Sequence, residues 1–148
     1  MVQIDETGDP ISEAEIAALE HEIGAKLPES YRHFLLSNNG GRPCPDTINI
    51  PDFPGGCSDI QFFFGFRQSF QSNNLSWNYE LIEERHPGRR ILPIACDSMG
   101  GLFCFRLSGE KTNEVIFCDM PDPAGTMYEL APDFETFLAK IRPWELSH

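Results

Sequence analysis

His21-Glu22-Ile23-Gly24-Ala25 opens like the helical zinc motif in which two histidines four residues apart face one metal ion. The position of the second histidine is filled by Ala25, so one helical face cannot supply the paired imidazoles that zinc requires. Asp97-Ser98 stands at the head of the run Asp97-Ser98-Met99-Gly100-Gly101, where a nucleophile could sit on a glycine turn. No strand–elbow–helix pattern surrounds it, and Asp97 is expected instead to accept hydrogen bonds from the backbone of its own turn. Cys44 and Cys57 fall in loop-like sequence with His33 upstream, the one hint of a thiol–imidazole arrangement, and nothing around them marks a lowered thiol pKa. The chain has no P-loop, no GxGxxG and no GxSxG. Neither a catalytic constellation, nor a metal site, nor a bound cofactor is expected, and the function class that remains is binding.

Composition points the same way. A length of 148 residues, 41% hydrophobic and 11% aromatic with twelve phenylalanines, is enough for one core without metal or disulfide staples. The five cysteines are odd in number and form no CxxC pair, and Cys96, Cys104 and Cys118 lie within apolar runs as small reduced hydrophobes would. The N-terminus has no basic stretch leading into an apolar one, and no segment approaches the roughly 18 to 20 apolar residues of a membrane span. A cytoplasmic protein is therefore expected.

The net charge is −12, and it is uneven. Asp5, Glu6, Asp9, Glu13, Glu15, Glu20 and Glu22 meet no Lys or Arg before residue 26, and residues 110–135 set seven acids against Lys111 alone. Residues 67–109 are near neutral, with five arginines against four acids. Such a field repels phosphate backbones and anionic lipid, which excludes nucleic acid and membrane as favoured partners and favours a basic protein.

The elements follow from caps and periods. Residues 1–10 predict a flexible polar arm, and residues 11–148 a single domain. Ser12-Glu13-Ala14-Glu15 is a capping box flanked by Ile11 and Ile16, which starts a helix at about Glu13; Gly24 ends it and Pro28 opens a second one. Asn38-Asn39-Gly40-Gly41 stops that second helix. Pro- and Gly-rich sequence over residues 42–56 predicts an irregular crossing with a short strand near Ile48 and Ile50. Ile60–Phe66 predicts a buried strand, and residues 75–84 a helix with Trp77, Leu81 and Ile82 inward. Three β-rich runs, 92–96, 102–107 and 114–119, are joined by loops too short for parallel crossovers. A short strand at 128–130 and a helix over 132–141 complete an α+β domain, an antiparallel sheet with helices packed on one face.

Ile16-x-x-Leu19-Glu20-x-x-Ile23-Gly24-x-x-Leu27-Pro28-x-x-Tyr31-x-x-Phe34-Leu35-x-x-x-Asn39-Gly40-Gly41 resembles the opening signature of the SUKH superfamily, the Smi–Knr family. Leu92-Pro93-Ile94-Ala95-x-Asp97-x-x-Gly100-Gly101 is similar to its central strand and glycine turn, and Phe134-x-x-Phe137-Leu138 to its closing helix. The pieces fall in order over about residues 11–142. After Val115-Ile116-Phe117, where the family often carries an aromatic residue and an Asp-His-like pair, this chain has Cys118-Asp119-Met120. The resemblance implies a SUKH-like fold held by Gly24, Pro28, Gly40, Gly41, Asp97, Gly100 and Gly101. It also implies a non-catalytic role, in bacteria mostly as an immunity protein that binds and blocks a toxin domain.

Two functions are expected from this. One is an immunity protein for a basic, nuclease-type toxin domain; the alternative is an intracellular regulatory or scaffold module that binds a cellular protein through an apolar groove. The partner-binding residues expected from charge in loops are Asp46, Asp52, Asp59, Asp119 and Asp122, with Trp77 as a possible aromatic anchor. An unpaired sheet edge leaves room for a homodimer.

Overall fold

A computed structural model describes residues 2–145 of the chain. Met1 and residues 146–148, the outermost parts of the expected arm and domain, lie outside the described residues. Over the stretch that composition gives to a flexible arm, Gln3–Asp5 form strand β1. It lies antiparallel to β2 (Arg42–Cys44), with Ile4 opposite Pro43 and packed on the edge of the core. The contact needs Gly41, since a Cβ there would meet the Asp5 carbonyl at 2.5 Å.

Helix α1 (Glu13–Ile23) starts at its capping box: Ser12 Oγ accepts the Glu15 N–H at 3.3 Å, and the Glu15 carboxylate accepts the Ser12 N–H at 3.2 Å. It ends at Gly24 in the left-handed conformation. Glu20 is buried beside Ile16, Leu19 and Ile23; its carboxylate takes the Leu27 N–H at 2.7 Å and Arg32 at 2.9 Å. Helix α2 (Glu29–Ser37) begins one residue later than the sequence suggests, with Pro28 flanking it rather than inside it. Next come β3 (Thr47–Asn49) and β4 (Cys57–Asp59), an antiparallel hairpin of their own.

The aromatic run Ile60–Phe66 yields only a two-residue strand, β5 (Phe62–Phe63). Its backbone is shared among different partners: Gln61 and Phe64 donate to Cys96 and Ile94, Phe63 to Gly41, and Gly65 to Asn73. No single neighbour holds a longer register. Helix α3 (Leu75–Arg85) buries Ile82 as expected, but it completes its inward face with Leu75, Asn78 and Tyr79 while Trp77 and Leu81 stay half-buried. An apolar-only pattern overlooks Asn78, which is accommodated because its amide donates to the Ser72 and Asn74 carbonyls, each at 2.9 Å.

Strands β6 (Ile91–Cys96), β7 (Leu102–Arg106), β8 (Val115–Cys118) and β9 (Met127–Ala131) complete a five-stranded antiparallel sheet in the order β5-β6-β7-β8-β9. Helix α4 (Phe134–Ala139) follows, shorter than expected and capped by the Asp133 carboxylate, which takes the Thr136 N–H at 2.7 Å. Alternation along β7 sends Phe103 and Phe105 into the main core with α1, α2 and α4, where Tyr31 meets Phe105 and Phe134 edge-on at 4.9 and 5.0 Å. Cys104 faces the other way, into a smaller cluster with Ile82, Ile91, Ile116 and Cys118. The architecture is the α+β one expected, and α3 contributes to both clusters.

Candidate functional site

Successive strands of a meander return to the same side, so the β6–β7 and β8–β9 loops leave one end of the sheet together. A Cβ built on Gly100 would lie 3.6 Å from the Pro121 ring, so the two loops touch. Asp97, 5% exposed, organises the first of them. Its Oδ1 accepts the N–H groups of Gly101 at 2.6 Å and Met99 at 3.0 Å, and its Oδ2 accepts the Ser58 hydroxyl at 2.7 Å. This is the turn-acceptor role expected of it. Gly101 has no room for a side chain, since a Cβ would meet the Phe117 ring at 2.4 Å. Asp59 accepts both the N–H and the hydroxyl of Ser98, at 3.0 and 2.8 Å, joining the β3–β4 hairpin to the same end. Asp122 fixes the second loop by accepting the Thr126 hydroxyl and the Ala124 N–H, and these donors, the hydroxyl foremost, hold its carboxyl below the usual range.

Of the expected binding residues, Asp59, Asp119 and Asp122 therefore share this end of the sheet. Asp46 adjoins it, exposed, with its carbonyl taking the Ile60 N–H at 2.7 Å. Asp52 stands apart, in a shallow cleft with Pro51, Glu114, Glu129 and Pro132. Trp77 lines a different open cleft with Phe66, Arg67, Asn74 and Glu80. Many of the other acids are neutralised: Glu13 and Glu20 by Arg32, Glu15 by Arg67, Glu6 by Arg42, Glu114 by Arg106 and Glu129 by Lys111. Among the described residues Asp46, Asp52, Asp59, Asp119 and Asp122 form no ion pair. Met99 projects from the Asp97 turn, 76% exposed. Sequence reasoning passed over it, although a large apolar residue between a serine and two glycines is the signal that would have found it.

Glycines at positive φ (Gly24, Gly40, Gly41 and Gly100) serve turns and close approaches, Gly100 within the β6–β7 loop itself. His21 and Ala25 line a shallow depression beside Gly24. Among the described residues no group of three or more His, Cys, Asp or Glu side chains is placed to hold a metal, and no helix is long and apolar enough to cross a membrane.

Two expected outcomes concern titratable groups near these surfaces. Cys44 is exposed, Cys57 and Cys96 are half-buried, and Cys104 and Cys118 are fully buried. Burial, aided by Asp97 and Asp59, pushes the Cys96 thiol up to about 11. A chromogenic disulfide reagent should titrate Cys44 first, Cys57 and Cys96 more slowly, and the buried pair only on unfolding. On the helical side, Glu80 lies against the carboxylate of Glu22, and interaction with that like-charged neighbour holds the Glu80 carboxyl above its ordinary value. A raised carboxyl contributes stability at low pH that disappears as pH rises through the folded-state pKa. Glu80→Gln should therefore raise the melting temperature at neutral pH and lose that advantage as the medium falls below the ordinary carboxylate pKa of about 4.3.

No curated protein is similar enough to the chain to match it. The sequence profile of the SMI1 / KNR4 family (SUKH-1) matches residues 10–140, from the approach to the α1 cap to the start of the tail after α4. With that match over nearly its whole length, and the helical pair, glycine turn and closing helix in place, the chain belongs to the SMI1 / KNR4 family (SUKH-1).

Proposed function

We propose that this protein is a non-catalytic immunity protein of the cytoplasm that binds and neutralises a basic, nuclease-type toxin domain. The observation that carries the reading is the set of unpaired aspartates, four of them gathered at or beside one end of the sheet around the exposed Met99. Carboxylates without cations keep their long-range field, which steers a basic partner and raises the encounter rate. Loops already tied by Asp97, Asp59 and Asp122 lose little freedom on docking. Met99 supplies an adaptable apolar contact at the centre of the rim. Membership in a family whose bacterial members are often immunity proteins supports the same reading. The outer edge of β9, which has no strand partner among the described residues, is where two copies would pair if the protein forms a homodimer.

The experiment is affinity capture from the organism's own lysate at low and high salt, with mass spectrometry of what is retained. A basic toxin domain is expected at low salt and should be lost at high salt, where the screening length shrinks to a few ångströms. Recovery of a salt-resistant housekeeping protein alone would overturn the reading in favour of a regulatory or scaffold module.

A further inference from the structure

The face of the sheet opposite the phenylalanine core gathers two cysteines into one cluster with a methionine packed against it. In β7 Cys104 lies opposite Ile116 of β8, so Cys118, two residues along, is its diagonal neighbour on the same face. Both cysteines are 0% exposed, within a cluster otherwise made of Ile82, Ile91 and Ile116. Met120 packs against that cluster and is half-buried. The charged groups acting on the thiols are guanidiniums: Arg89 on both and Arg106 on Cys118. Arg89 is fixed by the Gly125 and Ala124 carbonyls at 2.9 and 3.1 Å, and Arg106 by Glu114 at 2.8 Å.

We propose that Cys104, Cys118 and Met120 form a binding site for one soft monovalent cation, of which Cu(I) is the biological representative. Thiolate and thioether sulfurs select such an ion, and the low coordination number it accepts suits a site with two or three ligands. Zinc would require four ligands, and calcium or magnesium would require oxygens, neither of which the cluster offers. Diagonal neighbours on adjacent strands have Cα atoms about 7–8 Å apart, beyond the span of about 4.4–6.8 Å that a disulfide tolerates. The pair is therefore placed to close on an ion rather than on each other.

Binding exchanges the two thiol protons for the cation, which leaves the centre with one negative charge beside Arg89. Met120 is the ligand that solvent reaches, and it gives the ion its way in to the buried thiols.

The test uses the full chain carrying Cys44→Ser, Cys57→Ser and Cys96→Ser, titrated anaerobically with Cu(I) against a colorimetric Cu(I) chelator. One equivalent should be withdrawn from the chelator, with a rise in melting temperature. Cys104→Val and Cys118→Val, which keep the volume of the site, should abolish uptake. Met120→Leu should weaken it about tenfold, the low end of what groups supporting a metal contribute. X-ray absorption on the loaded protein gives a second readout that does not depend on how the valine variants fold: a shell of two or three sulfurs is expected. Copper bound no better than by the double valine variant, or a shell containing nitrogen or oxygen, would overturn the proposal.

Discussion

Replacing Asn39 by alanine is expected to destabilise the protein by about 2–4 kcal/mol, a large part of the 5–15 kcal/mol that holds a typical domain. Asn39 is 3% exposed and joins three segments that are distant in sequence. Its amide donates to the Asp9 carbonyl at 2.7 Å and the Phe66 carbonyl at 2.8 Å, and its oxygen accepts the Phe66 N–H at 2.7 Å. The Phe66 carbonyl keeps a longer bond from Gln68 at 3.3 Å, but Phe66 N–H and Asp9 O lose their side-chain partner in a part-buried setting. Asn39→Asp separates polarity from donation. It restores the acceptor, yet at neutral pH it turns an oxygen toward two carbonyls in place of the donor. It should therefore be as damaging as alanine at neutral pH and recover as acid protonates it, because its folded-state pKa is raised and the stability so gained exists only on the acid side. Urea unfolding of the three proteins at two pH values measures this. An alanine variant within about 0.5 kcal/mol of the parent, the range of ordinary surface substitutions, would remove Asn39 from this role.

The same residue shows what the sequence made legible and what it left out. Asn38-Asn39-Gly40-Gly41 reads as a helix stop, because two asparagines before two glycines disfavour a continued helix whatever surrounds them. That Asn39 faces inward and ties down Asp9 and Phe66 depends on segments about thirty residues away, to which no local pattern refers. Capping boxes, the left-handed Gly24 and the alternation of β7 were readable because each is fixed within a few residues. The strand at Gln3–Asp5 was not, since three residues with one apolar side chain carry almost no period; it forms because Gly41 lets the β2 approach come close. The α3 face was read correctly only at Ile82, for a related reason: Asn78 is polar by type but satisfied by its own N-terminal turn, so its burial follows hydrogen bonding rather than hydrophobicity.

The candidate surface was legible in part. Charge counted along the chain identifies loops without cations, and the five aspartates chosen on that basis form no ion pair among the described residues. Sequence could not say which of them meet. Asp59 reaches Ser98 and Gly100 approaches Pro121 only because β4, β6 and β8 end on the same side, whereas Asp52 is carried off by the β3–β4 turn, whose Phe53 packs on Phe117 and Tyr128. Trp77 is set apart in the same way, by the rotation of α3.

At this end of the sheet the most informative substitution is Asp97→Ala, expected to cost about 3–4 kcal/mol because a charged acceptor with three bonds is removed. The Gly101 N–H is buried and has nowhere else to turn, whereas the exposed Met99 N–H can be taken over by water. Asp97→Asn distinguishes a turn acceptor from a charge needed for its own sake. The amide oxygen can still accept from Gly101 and Met99, and the Ser58 hydroxyl can rotate to accept from the new amide, so the loss should be only about 1 kcal/mol, the worth of one ordinary hydrogen bond. Amide hydrogen exchange at Gly101 should accelerate strongly in the alanine variant and little in the asparagine one. If the asparagine variant were as unstable as the alanine one, the carboxylate's charge would be what matters, and the turn would be held by its attraction to the surrounding N–H dipoles rather than by bonds that any acceptor can make. If both variants stay stable, the glycine turn holds its shape through Gly101 packed under the Phe117 ring rather than through the Asp97 bonds.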